Sequence, residues 1–163
     1  MSTKKIMLLN AGLVMALAGI DLLAKQWVSH NIELYESRNI FGDILILKPR
    51  LNGGIILGLF SDTISPLFVI ASKLLIISGL IYFYFLIPEI VDPGYYIRLG
   101  IVFMLGGLSG NTVDRIADNV VMDFIVINIG GSSRIIFNIA DGCMLSGVVL
   151  LVSGILFFAN INR

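Results

Sequence analysis

The sequence predicts an all-α membrane protein, a bundle of four transmembrane helices with a small β-sheet and a β-like loop on the outer membrane face. Of its 163 residues, 57% are hydrophobic and 13% are charged, whereas soluble domains average about 45–50% apolar and about 25% charged residues. Four stretches approach the roughly 20 apolar residues that a bilayer-crossing helix needs. Between them lie two longer polar segments with short β-branched runs.

The charge balance and the scarcity of cysteine and histidine exclude several classes of protein. Eleven basic and eleven acidic residues give a net charge of zero, so no basic excess is available for nucleic acid. Cys143 is alone and cannot form an internal disulfide or a zinc cluster. With a single histidine, His30, a His-rich metal site or a Ser-His-Asp triad is not expected. We expect no metal and no cofactor, and a single integral membrane domain covering residues 1–163.

The first apolar stretch has two interpretations. Lys4 and Lys5 form a basic start, and Ala16-Leu17-Ala18 resembles the cleavage site of a signal peptide. The apolar run continues past Ala18 and further spans follow, which favours a membrane span; intact-mass measurement separates the two interpretations. The predicted spans are residues 6–28, 66–87, 97–113 and 139–159.

Basic residues in short loops predict the orientation. Lys4 and Lys5 precede the first span, Arg98 lies between the second and third, and Arg163 is terminal. This pattern predicts that both termini are cytoplasmic. Two longer segments then lie together on the outer side: residues 29–65 and 114–138.

Each outer segment contains a β-like run, at residues 44–47 and 120–127. Both runs are apolar, so we expect them to lie against the membrane surface or the helix ends. Turn-forming residues predict where the strands stop. These breaks are Gly42-Asp43, Lys48-Pro49, Asn52-Gly53-Gly54 and Gly130-Gly131-Ser132.

Ionisable residues at membrane depth are costly, so they are paired, functional or both. Asp21 and Lys25 are four residues apart on one helix face. They predict a mutual ion pair with a structural role, in which Lys25 extends toward the lipid headgroups.

Two pairs of amide and acid residues stand at the ends of the third and fourth spans. Asn111 and Asp114 are three residues apart on one helix face, and Arg115 can pair with a carboxylate. Gly106 and Gly110 would let another helix approach this end of the third span closely. A capped, ion-paired helix end explains this pattern without any chemistry.

Asn138 and Asp141 begin the fourth span, where Asn is a favoured N-cap and the helix dipole favours an acid. Asp123 stands alone in an apolar β-like run. It is either a surface acid on an edge strand or a carboxyl whose apolar setting raises its pKa.

Taken together, these positions predict that Asp114, Asp123 and Asp141 converge on one membrane face, with only amides and Arg115 beside them. Two carboxyls without a stronger nucleophile favour aspartic-protease chemistry, because neighbouring carboxylates cannot both ionise easily and share one proton. The ionised member activates water, while the protonated member polarises the carbonyl.

In these motifs the chain resembles the bacterial lipoprotein signal peptidases, or signal peptidase II. The resemblance covers nearly the whole chain. The motifs, in order, are Asp21-Leu-Leu-Ala-Lys25, Asn52-Gly53-Gly54, Gly107-Leu-Ser-Gly110-Asn111-Thr-Val-Asp114-Arg115, Val121-Met122-Asp123-Phe124 and Phe137-Asn138-Ile139-Ala140-Asp141.

The resemblance implies an aspartic endopeptidase of the bacterial inner membrane that cuts diacylglyceryl-modified prolipoproteins just before the lipidated Cys. Membrane lipids and globomycin-type inhibitors would be further partners. Asp123 and Asp141 would be the catalytic pair, and Asp21 and Lys25 structural supports. The residues implied at the substrate site are Asn52, Gly54, Asn111, Asp114, Arg115 and Asn138, with Asp114 as a supporting acid tied to Arg115.

The sequence leaves two alternatives open. Ile55-Ile56-Leu57-Gly58 stands where the family usually has small residues and an aromatic, which is compatible with a member that cleaves weakly or has an altered substrate range. A small proton-coupled carrier would use the same acids as a relay. The acids lie at span ends rather than at the midplane, which argues against a carrier.

Overall fold

The computed structural model describes residues 2–54, 65–87, 92–130 and 133–161. Each of the four predicted spans coincides with a helix, and the helix ends differ from the predicted limits by a few residues. The elements, in order, are α1 (Thr3–Asn31), β1 (Arg38–Phe41), β2 (Leu45–Asn52), α2 (Pro66–Leu86), α3 (Asp92–Asp118), β3 (Val121–Gly130), β4 (Ser133–Phe137) and α4 (Ile139–Ile161).

Three helices in the described part of the chain are long and apolar enough to cross a membrane. They are α1, α2 and the Ile139–Phe157 portion of α4. Large apolar side chains such as Leu8, Leu67 and Leu156 are exposed on them, as expected of helices whose solvent is lipid. The fold is therefore mostly helical, with three candidate spans.

Helix α3 differs from the other three because it is surrounded by them. It packs against α1, α2 and α4, and Ile101, Val102 and Leu105 on it form the centre of the apolar core. Its buried glycines and polar side chains, such as Gly107, Gly110 and Asn111, therefore meet protein rather than lipid. The predicted crossing at residues 97–113 falls within α3, which is not among the three apolar candidates.

Helices α3 and α4 approach each other backbone to backbone at glycines. A Cβ built on Gly100 would lie 2.6 Å from the Gly147 carbonyl oxygen. A Cβ on Gly107 would overlap the Ala140 carbonyl oxygen and lie 2.8 Å from the Met144 Cγ. Since Ala140 precedes Asp141, this contact fixes the height of the first turn of α4 against α3.

Substitution of Gly107 tests this contact. Gly107→Ala is expected to destabilise the protein by about 1–3 kcal/mol, because the added methyl has no room. The matched control is Gly79→Ala on α2, where a Cβ meets nothing within 4 Å and helix propensity favours Ala by up to about 1 kcal/mol. Thermal unfolding in one detergent compares the two variants, and equal melting temperatures would contradict the tight approach.

The close face predicted at Gly106 and Gly110 is confirmed, and the helix it receives is α1. A Cβ on Gly106 would lie 2.7 Å from the Leu17 Cβ, and one on Gly110 would lie 2.9 Å from the Asp21 Oδ2. The glycine face therefore brings Asp21 of α1 against α3.

The two segments predicted to lie on the outer side form one antiparallel sheet with the strand order β1-β2-β3-β4. The second segment is therefore part of the sheet and not a separate β-like loop. The β-like runs of the two segments pair with each other, as β2 and β3. The hairpin between β1 and β2 turns at Gly42, whose φ of 50° suits glycine. The break predicted at Lys48-Pro49 is wrong, because β2 continues through it. The register shifts between Leu47 and Arg50 instead, where Pro49 has no N–H for the ladder.

The sheet is held against the ends of two helices by a small apolar cluster. Val28 and Ile32 at the end of α1 pack on Phe124 of β3, and Ile139 at the start of α4 packs against the same cluster. This cluster fixes β3 beside the first turn of α4.

Candidate active site

Asp123 on β3 and Asp141 in the first turn of α4 line one cavity of about 260 Å³. Asp123 is only 7% exposed, so it is not a surface acid. The other lining residues are Asn52, Gly54, Lys73, Asn111, Arg115, Val121, Ile136, Phe137 and Met144.

Both oxygens of Asp123 accept hydrogen bonds from amide side chains. Asn52 Nδ2 donates to Oδ2 at 2.8 Å, and Asn138 Nδ2 donates to Oδ1 at 2.7 Å. The sheet register explains the first contact: Asn52 pairs with Val121, so Asp123 is its diagonal neighbour on the same face.

Burial raises the pKa of the Asp123 carboxyl above its usual value, and the charge of Asp141 raises it further. The hydrogen bonds from Asn52 and Asn138 act in the opposite direction, because they stabilise the carboxylate. Burial is the largest of these effects, so Asp123 keeps a proton to higher pH than an exposed aspartate does.

Asp141 is held by the start of its own helix. Its backbone N–H donates to Asn138 Oδ1 at 2.9 Å, and the Asn138 backbone N–H donates to Asp141 Oδ2 at 3.3 Å. This reciprocal pair is a capping box, and it confirms the predicted N-cap role of Asn138. Asn111 Nδ2 donates to Asp141 Oδ1 at 2.9 Å, so α3 fixes the other oxygen.

Asn138 connects the two acids. Its side chain is fully buried, and its Nδ2 reaches Asp123 Oδ1 and, at 3.2 Å, Asn111 Oδ1. The same residue caps α4 through Asp141. Asn138 therefore binds both carboxyls, that of Asp123 through its side-chain amide and that of Asp141 through its backbone N–H.

Lys25 contacts Asn111 and lies between two acids, Asp21 and Asp114. Its Nζ is 2.6 Å from Asp21 Oδ2 and 2.6 Å from Asp114 Oδ2, and it donates to Asn111 Oδ1 at 2.9 Å. The predicted Asp21–Lys25 ion pair is confirmed. The expected extension of Lys25 toward the headgroups is wrong, because the residue is only 5% exposed. Asp21 Oδ1 also accepts the Ala140 backbone N–H at 2.8 Å.

Arg115 binds backbone carbonyls rather than an acid among the described residues. Its guanidinium donates to the carbonyl oxygens of Gly53 and Gly54 and, at 2.8 Å, of Asn119. The expected tie between Asp114 and Arg115 is therefore wrong, since Asp114 pairs with Lys25. Arg115 instead fixes the loop after Asn52, and the Ile55-Ile56-Leu57-Gly58 departure beyond that loop lies outside the described residues.

Lys73 is the charged cavity residue that the sequence analysis did not assign to the site. It lies on α2 and is partly buried. Its signal in the sequence is that it carries the single charge of the Pro66–Leu86 helix. A charge at membrane depth marks a functional candidate by default, but no spacing rule connects α2 to the acids.

The cavity contains two carboxyls, those of Asp123 and Asp141, whose oxygens accept hydrogen bonds from asparagine side chains. No three His, Cys, Asp or Glu side chains in the described ranges gather where they could hold a metal ion. The amides orient the carboxyl oxygens before any substrate arrives, and burial strengthens the electrostatic interactions between the groups.

Comparison with known proteins identifies the family of this chain. Residues 13–157 match the family described as signal peptidase (SPase) II. The lipoprotein signal peptidases of Staphylococcus aureus strains JH9 and Newman are each 30% identical over 138 residues, covering 83% of this chain and 80% of each relative.

Two solved structures, each described as a bacterial membrane enzyme solved by the in meso method, share the fold. The first has a TM-score of 0.80 and 25% identity, and covers 94% of this chain and 91% of its own. The second has a TM-score of 0.75 and 26% identity, and covers 90% and 92%. The family match over residues 13–157 and the similarity to these relatives show that this chain is a member of the signal peptidase II family.

Proposed function

We propose that this protein is a membrane aspartic endopeptidase that removes the signal peptide from diacylglyceryl-modified prolipoproteins. It cuts just before the lipidated Cys, and Asp123 and Asp141 are its catalytic pair. One observation carries the proposal: in a signal peptidase II chain, these two carboxyls line one cavity and are joined through Asn138.

The carboxyls of Asp123 and Asp141 share one proton. The ionised carboxyl takes a proton from water as the water oxygen attacks the scissile carbonyl carbon, while the protonated carboxyl donates to the carbonyl oxygen. A proton from the pair then passes to the leaving amine of the Cys as the C–N bond breaks. The raised pKa of Asp123 favours it as the proton carrier, although the pair titrates as one unit.

The supporting residues keep these atoms in place. Asn52 and Asn138 hold Asp123, and Asn111 holds Asp141. Arg115 fixes the Gly53-Gly54 loop beside the cavity. Asp21, Lys25 and Asp114 form the support behind Asn111.

The membrane setting suits such a substrate, whose acyl tails and signal helix already lie in the bilayer. With α3 as a fourth crossing enclosed by α1, α2 and α4, the whole chain is one integral domain of the bacterial inner membrane with cytoplasmic termini. The sheet and the cavity then face the outer side, where the scissile bond meets water while the tails stay in lipid.

The proposal is tested by cleavage in a reconstituted bilayer. The purified protein should convert a diacylated prolipoprotein into two products, with the cut before the lipidated Cys located by mass spectrometry. The same precursor without its diacylglyceryl group is the control and should remain uncut, and globomycin should inhibit the reaction. A wild-type protein that leaves the lipidated precursor intact would contradict the proposal.

The pH profile of cleavage provides a further prediction. Asn52→Ala removes a donor that stabilises the Asp123 carboxylate, so the pKa of Asp123 rises and its proton is kept to higher pH. We expect the basic limb of kcat/KM to move to higher pH, with a lower maximum rate. Asn39→Ala, which removes an exposed amide contacting Asp43, should leave the profile unchanged. A basic limb that stays in place or moves down in Asn52→Ala is the contrary result.

A further inference from the structure

We propose that Lys73 is a positioning residue for the acid pair: its ammonium stabilises the single negative charge of the half-protonated pair and so extends cleavage toward acid pH. This inference rests on the proposed function. It concerns a residue on α2, whereas the groups that hold the two acids come from α3, the sheet and the cap of α4.

The first support is the position of Lys73 in the fold. It is the single charged residue in the 21 residues of α2, a helix apolar enough to cross a membrane. Its neighbours Leu74 and Leu75 are exposed on the helix surface, whereas Lys73 is partly buried and lines the cavity with Asp123 and Asp141. A charged lysine in a membrane helix costs free energy, so such a residue is normally paired with another group or has a function.

The second support is the difference between Lys73 and Lys25. Lys25 donates to Asn111 and Asp114 and pairs with Asp21. Within the described part of the chain, Lys73 forms no hydrogen bond and no ion pair with a carboxylate within 4.0 Å. Its charge is therefore not cancelled by a direct contact there, and it acts across the cavity, where Arg115 repels it and Asp141 attracts it.

The third support is the charge that surrounds the pair. On α1 and α3, the cation Lys25 lies between two acids, Asp21 and Asp114, so that group is net negative when both acids are ionised. The two acids disfavour ionisation of the pair, whereas Lys25 favours ionisation of Asp123.

Arg115 on α3 and Asp123 on β3 are the remaining charged groups that line the cavity with Asp141. The Arg115 guanidinium is engaged by the carbonyls of Gly53, Gly54 and Asn119. Its charge still acts on Asp123, and Arg50 of β2 stands opposite Asp123 in the sheet. Lys73 is the cation of α2, and it has Asp141 among its electrostatic partners.

The test is the pH profile of cleavage of the diacylated prolipoprotein by Lys73→Met and Lys73→Gln in reconstituted bilayers. Without the ammonium, the pair takes up its second proton at higher pH. The acid limb of kcat should therefore move up, and the rate on that limb should fall about threefold or more relative to the maximum. KM should stay unchanged, and Lys73→Arg should restore the acid limb. Lys48→Met, which removes a β2 cation outside the cavity lining, should leave the acid limb unmoved.

Two results would overturn the inference. One is an acid limb that is the same in Lys73→Met, Lys73→Gln and the wild type. The other is a raised KM with an unmoved acid limb, which would assign Lys73 to substrate binding. Failure of the proposed function looks different, since the wild type would then leave the lipidated precursor uncut, or variants lacking either aspartate would remain active. Melting temperatures in detergent identify any loss of activity that comes from unfolding.

Discussion

Replacing Asp123 or Asp141 with asparagine is expected to lower the rate of prolipoprotein cleavage by at least about a thousandfold. Asparagine keeps the size of the side chain and an acceptor oxygen for Asn52 or Asn111. It can neither ionise to take a proton from water nor deliver one to the leaving amine. The measurement is the single-turnover rate on a diacylated precursor. The double variant should be little slower than either single variant, because the two carboxyls act as one unit.

The matched control for both substitutions is Asp118→Asn. Asp118 is an exposed acid at the end of α3, so its replacement removes a carboxylate of the same kind outside the cavity. Its rate should equal that of the wild type. Retention of full activity by Asp123→Asn or Asp141→Asn would remove the basis for the acid pair.

Replacing Lys25 with methionine is expected to produce the largest loss of stability, about 3–5 kcal/mol. Removing one partner of a buried ion pair leaves the other charge without compensation, and here Asp21 and Asp114 lose their shared cation. Asn111 loses a donor as well, so the loss should include the order of the cavity. Reversible unfolding in detergent gives the free energy, and cleavage at low temperature gives the activity of the protein that remains folded.

An exposed ion pair provides the comparison for Lys25→Met. Arg38 and Glu36 are about half exposed and 3.4 Å apart, and Arg38→Met should change stability by less than about 1 kcal/mol. Adding Asp21→Asn and Asp114→Asn to Lys25→Met removes the uncompensated charges and should restore part of the stability. A Lys25→Met protein as stable as the Arg38→Met protein would show that the buried cation does not hold the helices together.

Local spacing explains what could be predicted about the site. The Asp21–Lys25 pair follows from an interval of one helical turn, and the cap at Asn138 follows from its place before an apolar helix. Hydrophobicity identified the four helices, because three are apolar along their length and the fourth, α3, retains an apolar core face. Each of these features is decided within a few residues along the chain.

Contacts between distant segments could not be predicted in the same way. Asp114 is adjacent to Arg115 in sequence but pairs with Lys25, because α1 packs against α3 and the Arg115 side chain is taken by the Gly53-Gly54 carbonyls. Lys48-Pro49 was expected to end a strand, yet pairing with β3 carries β2 past the proline through a shift in register. The cavity position of Lys73 likewise depends on how α2 is placed, for which the sequence has no local signal.

The pairing of β2 with β3 limits how the length of this chain can vary. Asn52 and Asp123 share a sheet face only because Asn52 stands opposite Val121, and adding or deleting one residue in either strand would turn one of the two side chains to the opposite face. Such a change should abolish cleavage, even though Asp123 and Asp141 are both still present in the sequence. Insertions at the hairpin tip near Gly42, away from this pairing, should be tolerated, and they offer a place for an affinity tag or a fluorescent label.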